Sequence, residues 1–247
     1  MRFSVLGSAG SYNSPGSACS SYLVQQGDCS VLLDAGNGSM ANLFDFCNPA
    51  ELNAVVLSHE HADHWVDIVG VYHYRLLADS SGGEIPLLAP PSLLAALSKQ
   101  LHADDFKGVF KPIPIDPSTE IEVEGLKLRF SRTNHPVETY AVSVTGQDSV
   151  IVYTADTGPD CEPLNLLVAE ADLLVAECTW ADQFTYSGPP LHMNPSSFVR
   201  LLDRSQATLA FATHVAHPQS RQQVLEEIRR LTDRNVELAI DRLSVEV

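Results

Sequence analysis

The stretch S-H-E-H-A-D-H-W at 58–65 gathers His59, His61, Asp63 and His64 within six positions. Imidazole nitrogens and a carboxylate at that density suit zinc or a neighbouring transition metal. The blander reading is a polar turn that happens to be rich in histidine. Three histidines and an aspartate packed this tightly disfavour it. The zincin pattern H-E-x-x-H does not apply, because the residue four beyond His59 is Asp63. Six residues cannot complete two metal sites, so the rest of the chain must supply more ligands. The candidates are His135 in T-N-H-P, Asp156 in T-A-D-T-G and His214 after the apolar run 208–213.

These residues need elements that bring them to one rim. The apolar run A-V-V-L at 54–57, bounded by Asn53, reads as a short buried strand. The cluster leaves its C-terminal end, where α/β sheets place ligand sites. Beyond it, Ile68, Val69, Tyr72 and Leu76 at helical spacing predict a helix over 65–77, with His73 as a surface or packing residue. Upstream, 2–7, 21–25 and 30–34 read as strands, the last two joined by a tight turn at Gly27-Asp28. Asp34 ends the last of these either as a loop cap or as a partner orienting a metal-bound histidine. Ser39 is the predicted N-cap of a helix over 40–47.

Further on, 86–89 is a predicted strand and Pro91 opens a helix to 99. Strands follow over 109–115, 120–123 and 126–130. Pro136 holds the preceding residue extended, so His135 projects in a fixed direction. A hairpin, 140–145 with 150–154, then delivers Asp156 into a Gly turn, as a turn cap or a metal bridge; the turn alone favours the cap. A helix over 162–170 and a strand over 173–178 come next, with Glu177 near the strand's end. The long loop 179–193 carries Trp180, Tyr186 and His192. Asn194-Pro195 supplies the N-cap and first position of a helix to 204. His214 follows the strand 208–213, with His217 three residues on. Pro218 is expected to start the last helix, through 231, before a final strand at 236–240. Both halves show strand–helix–strand patterns, which leaves room for an internal duplication. One domain is expected over 1–247.

Composition narrows the function. The formal charge is −16, with 15 basic residues against 31 acidic. Polynucleotide binding rests largely on Lys and Arg neutralising phosphates, so long nucleic acid is a poor partner. The nearest basic strip, Lys127, Arg129 and Arg132, reads first as a solvated strand face. A small anionic substrate stays compatible, since divalent ions dominate the local field. No 18-residue apolar segment or signal-peptide pattern occurs, so a soluble, cytoplasmic protein without membrane contact is expected. Five cysteines, an odd number with no C-x-x-C, argue against a disulfide scaffold. A homodimer is the base-rate assembly.

Taken together, H-E-H-A-D-H at 59–64, His135, Asp156 in its D-T-G turn, His214 and the L-L-D-A-G stretch ending the third predicted strand resemble the metallo-β-lactamase-fold hydrolase superfamily over nearly the whole chain. The resemblance implies an α/β fold, an αββα sandwich of two mixed β-sheets flanked by helices. It also implies two divalent metal ions, zinc first with manganese or iron as alternatives. His59, His61 and His135 would hold one, Asp63, His64 and His214 the other, and Asp156 would bridge them. An aspartate bridge is nearer the ribonuclease Z and small phosphodiesterase branch than the true β-lactamases, whose second site uses a cysteine. In that branch a histidine before a helix assists the leaving group; His192 in L-H-M-N-P-S-S matches it in part, with H-M-N where ribonuclease Z has H-S-T.

Ribonuclease Z of the usual type inserts a tRNA-gripping arm between the positions matched by His135 and Asp156. Only a hairpin fits here. The motif H-P-V-E-T-Y at 135–140 is similar to that of compact actinobacterial cyclic-nucleotide phosphodiesterases. The implied activity is therefore hydrolysis of a small phosphodiester such as a cyclic nucleotide, by a hydroxide shared between the metals. Asp63 or Asp156 would take up the proton and His192 would protonate the leaving alkoxide. The alternatives are a ribonuclease Z-like endonuclease, a lactone or thioester hydrolase with Tyr186 steadying the oxyanion, a redox di-iron protein, and a non-catalytic metal-binding sensor.

Overall fold

A computed structural model describes residues 1–103, 106–183 and 190–247; Tyr186 lies outside them. The strands are β1 (Arg2–Gly7), β2 (Ala9–Gly10), β3 (Ser21–Gln26), β4 (Cys29–Leu33), β5 (Ala54–Val56), β6 (Ile85–Ala89), β7 (Phe110–Pro114), β8 (Glu120–Val123), β9 (Leu126–Arg132), β10 (Tyr140–Thr145), β11 (Val150–Tyr153), β12 (Leu173–Glu177), β13 (Leu209–Thr213), β14 (Val215–Ala216), β15 (Val236–Leu238) and β16 (Ser244–Glu246). The α-helices are α1 (Ser39–Leu43), α2 (Ile68–His73), α3 (Pro91–Gln100), α4 (Glu162–Val168), α5 (Pro195–Leu202) and α6 (Arg221–Leu231).

Two seven-stranded sheets run β16-β1-β3-β4-β5-β6-β7 and β15-β13-β12-β11-β10-β9-β8. In the first, β16 through β4 pair antiparallel and β4 through β7 parallel. The second repeats this, antiparallel from β8 to β11 and parallel from β11 to β15. The duplication for which the strand–helix alternation leaves room is matched by this repeat in the pairing pattern. Apolar residues of both inner faces, including Phe3, Tyr22, Val31, Leu128, Val142, Tyr153 and Phe211, fill the space between the sheets. Outside the first sheet, α1–α3 bury Leu43, Ile68, Val71, Leu93 and Leu97. Outside the second, α4–α6 bury Leu164, Val168, Phe198, Leu202, Val224 and Ile228. The result is the four-layered metallo-β-lactamase fold. Strands such as β5 and β12 have every residue buried, because parallel strands are covered on both faces.

Three details differ from the expectations raised by the sequence. α1 starts at Ser39 instead of after it, with Gly38 at the cap in a left-handed conformation. The open amide of Met40 is taken by Asp67 Oδ2 at 2.9 Å, so a residue beyond the histidine cluster does the capping. α6 begins at Arg221, capped by the Ser220 side chain, because Pro218 sits in a turn ahead of it. The short β2, β14 and the final strand β16 have no counterpart among the expected elements. Lys127 and Arg129 do lie on an exposed strand face, and Arg129 pairs with Glu170. All five cysteines are free. Among the described residues no helix is long and apolar enough to cross a membrane.

α5 matters to the site because it anchors the loop that carries His192. Its N-terminus is a reciprocal cap: Ser197 N donates to Asn194 Oδ1 (3.0 Å) and Asn194 N to Ser197 Oγ (2.9 Å). Asn194→Ala is expected to cost about 1 kcal/mol of stability. The check is urea unfolding, with a lower midpoint and an unchanged slope.

Candidate metal centre

The seven candidate ligands sit shortly past strand ends on one rim. His59, His61, Asp63 and His64 follow β5; His135 follows β9; Asp156 follows β11; and His214 follows β13. The loop after β12 adds His192. Several of the chain's bends are tight: Asp34, Ala155 and His214 all have positive φ (57°, 51° and 58°). Such backbone is uncommon for residues with a Cβ and clusters at functional sites. At Gly10 a Cβ would lie 2.4 Å from the His214 carbonyl oxygen, so only glycine fits there.

The side chains form two overlapping groups around Asp156. In one, His61 Nδ1 lies 3.1 Å from both His59 Nε2 and His135 Nε2. Asp156 Oδ2 stands 3.7 and 3.8 Å from those same Nε2 atoms. In the other, His214 Nε2 is 3.3 Å from His64 Nε2 and 3.3 Å from Asp63 Oδ2. Asp156 Oδ1 faces this group, 3.2 Å from His64 Nε2 and 3.4 Å from His214 Nε2. Each group's donor atoms lie within 4.8 Å of one another. Asp156 Oδ1 is buried and accepts no hydrogen bond. A buried carboxylate oxygen left so beside inward-turned imidazole nitrogens is costly unless a cation completes it. The donor set therefore fits divalent metal.

A second layer sets the histidine tautomers. Asp34, buried, lies 2.7 Å from His64 Nδ1 through Oδ2 and accepts from Ser58 Oγ at 2.8 Å. Ser58 Oγ in turn is 2.9 Å from His59 Nδ1. A hydroxyl has one proton, and the carboxylate can only accept, so His59 Nδ1–H must donate to Ser58. Both histidines then carry a proton on Nδ1, which leaves Nε2 as the atom each presents to a metal. Tyr153 completes the shell of Asp34 from the opposite sheet at 2.8 Å. On the other side Glu177 does the same work. Its Oε1 lies 2.9 Å from His192 Nδ1, and its Oε2 accepts from Thr179 Oγ1, which is 2.9 Å from His214 Nδ1.

Electrostatics follow from this packing. Burial pushes His59 well below the ordinary imidazole range and His135 down to about 4, keeping both neutral as ligands require. Burial works against ionised Asp156, yet the facing His214 and His64 hold its carboxyl well below the usual carboxylate range. Burial also opposes charge on His192, but the Glu177 carboxylate outweighs it and holds His192 up to about 9. The Glu177 carboxylate thus favours the protonated form of His192.

Of the candidates that residue type and spacing single out, His59, His61, Asp63, His64, His135, Asp156, His192 and His214 all converge. His217 does not join them; it lies exposed, its carbonyl taking the Tyr12 hydroxyl. His73 is exposed on α2 and Nδ1 bonds its own helix at Val69 O. Asp34 proves to be an orienting partner. The sequence alone does not reveal the roles of Glu177, Thr179, Ser58, Tyr153 and Ser11, whose amide holds Asp63 Oδ2 at 2.8 Å. The signal available for two of them is E-C-T at a buried strand's end.

The sequence matches the beta-lactamase superfamily domain over residues 30–215. It is 31% identical over 221 residues to "Probable metallo-hydrolase YhfI" of Bacillus subtilis, covering 88% of each chain. The crystal structure of YhfI superposes with a TM-score of 0.90 over 100% of this chain and 98% of that one, at 26% identity. A ribonuclease Z of Pyrobaculum calidifontis is 27% identical over 227 residues, 77% of each chain. A diphosphatase of the PhnP family shares the fold, with a TM-score of 0.79 and 20% identity over 100% and 97% of the two chains. With a histidine–aspartate cluster suited to divalent metal on a matching fold, this chain belongs to the beta-lactamase superfamily as a metal-dependent hydrolase.

Proposed function

We propose that the chain hydrolyses a small phosphodiester, a cyclic nucleotide being the leading type, at a centre of two divalent ions, zinc before manganese or iron. His59, His61, His135 and Asp156 would hold one ion; Asp63, His64, His214 and again Asp156 the other. Bound there, such a pair supplies Lewis acidity and a water acidic enough to ionise near neutral pH. The observation that carries the reading is His192, its Nδ1 2.9 Å from Glu177 Oε1 and its ring 5.3 and 5.5 Å from those of His135 and His214. A cation beside a metal cradle has a use in giving a proton to a departing alkoxide.

Asp63 is the better proton acceptor of the two carboxylates. Its side chain is 13% exposed against 3% for Asp156, and both oxygens of Asp156 are committed to histidine groups. The names of two similar proteins, a ribonuclease Z and a diphosphatase, concern bonds to phosphorus, which supports the substrate class. Long RNA is disfavoured. Between His135 and Asp156 the chain makes only the β10–β11 hairpin, with no projecting arm, and the net charge is −16.

The test is a panel on zinc- or manganese-loaded protein: bis-p-nitrophenyl phosphate, 3′,5′-cyclic nucleotides, short RNA, a lactone and a thioester. Turnover is expected on the first two and not on the last two. Hydrolysis confined to the lactone or thioester would remove the phosphodiester reading, and no turnover on any substrate would favour the sensor.

A further inference from the structure

Thr179 joins two groups that the proposed chemistry uses separately. Its hydroxyl has one proton and two close neighbours, Glu177 Oε2 at 2.6 Å and His214 Nδ1 at 2.9 Å. The carboxylate can only accept, so the proton goes to Glu177 and the Thr179 oxygen accepts Nδ1–H from His214. Glu177 Oε1 lies 2.9 Å from His192 Nδ1. Thr179, Glu177 and His214 are all buried, so water does not stand in for the hydroxyl without cost.

The Thr179 backbone is pinned as well. Its carbonyl accepts from Ala216 N (3.2 Å) and Gln219 Nε2 (2.9 Å), both on the segment that follows His214. Glu177 is fixed from two further sides, by Thr157 N (2.7 Å), next to Asp156, and by Met193 N (3.1 Å), next to His192. The relay Asp34–Ser58–His59 has the same wiring on the opposite sheet, but both histidines it reaches belong to the two ligand groups. At Thr179 the relay ends on His192.

We propose that Thr179 is a positioning residue that sets His214 as an Nε2 donor and, through Glu177, fixes His192, so that one metal ligand and the proton donor are held as a unit. This rests on the reading of His214 as a ligand and His192 as the proton donor. The metal can occupy its place only when His214 presents a bare Nε2. The hydroxyl enforces that tautomer while occupying the Glu177 oxygen that His192 does not use.

Thr179→Val keeps the shape and drops the hydroxyl; Thr179→Ser keeps the hydroxyl. Two readouts need no substrate. Zinc affinity is measured by competition with a chromophoric chelator. Imidazole protonation in the zinc-loaded protein is read by long-range proton–nitrogen NMR, with His192→Ala identifying the His192 signal. In Thr179→Val the weaker-bound zinc is expected to lose about 10- to 100-fold in affinity, as for other outer-shell partners. The His192 Nδ1–H resonance should shift or vanish at the same time, and Thr179→Ser should restore both. Unchanged zinc affinity in Thr179→Val overturns the proposal, and so does a zinc defect with the His192 signal intact. Should circular dichroism show Thr179→Val unfolded, Thr179→Ala takes its place with the same two readouts. A wild type that binds zinc but hydrolyses no phosphodiester sinks the substrate reading alone, and one that takes up no zinc sinks both.

Discussion

In the Asp156→Ala variant, metal content and turnover are expected to fall together. Asp156 faces both histidine groups, Oδ2 toward His59 and His135 and Oδ1 toward His64 and His214. Its removal leaves three imidazoles in one group and two imidazoles with Asp63 in the other, with nothing holding the two together. Losing an outer-shell partner already costs about 10- to 100-fold in metal affinity or activity, and loss of a shared ligand should exceed that. Elemental analysis after dialysis, beside a phosphodiesterase assay, checks the expectation. A variant that stays fully active while free of metal would end the dinuclear reading. The apolar layers between and outside the sheets are untouched by the change, and circular dichroism of the variant separates loss of a ligand from loss of fold.

His192→Ala should separate substrates by their leaving groups. An alkyl ester departs as a strong base and needs a proton; general acid catalysis is worth about 10²- to 10⁴-fold, and that is the loss expected. A p-nitrophenyl ester departs as a stable anion and should be nearly spared. Equal losses on both would remove the acid role. The sign of the pH dependence follows from the ion pair. Glu177 raises the His192 pKa, so the acid form persists through neutral pH and is lost as pH climbs on the alkaline side. Glu177→Gln removes the charge that holds the proton, so the basic limb for alkyl esters should move to lower pH. A limb that stays where it was would assign it to another group.

The candidate ligand residues are legible in the sequence because they stand within a few positions of the end of a predicted strand, and a strand end fixes where the next side chains go. His135 is further marked by Pro136, and Asp156 by the turn that follows it. What the chain order hides is the layer behind them. Asp34 gives two equal readings until the sheets pack and bring Tyr153 across to it. Thr179 and Glu177 act on His192 and His214, residues distant in sequence, through contacts that exist only once loops from β12, β13 and α5 meet. Helix starts fail for a related reason. Local signals name Ser39 and Pro218, but α1 receives its cap from Asp67, and Ser220 proves the better cap for α6.

The first sheet ends on β16, which pairs with β1 through Arg2–Glu246, Phe3–Val245 and Ser4–Ser244. During synthesis on the ribosome, β1 therefore waits with an open hydrogen-bonding edge until Ser244–Glu246 has emerged. Bare edges recruit other strands, so nascent or clipped chains ending before Ser244 are the forms most prone to pair with one another.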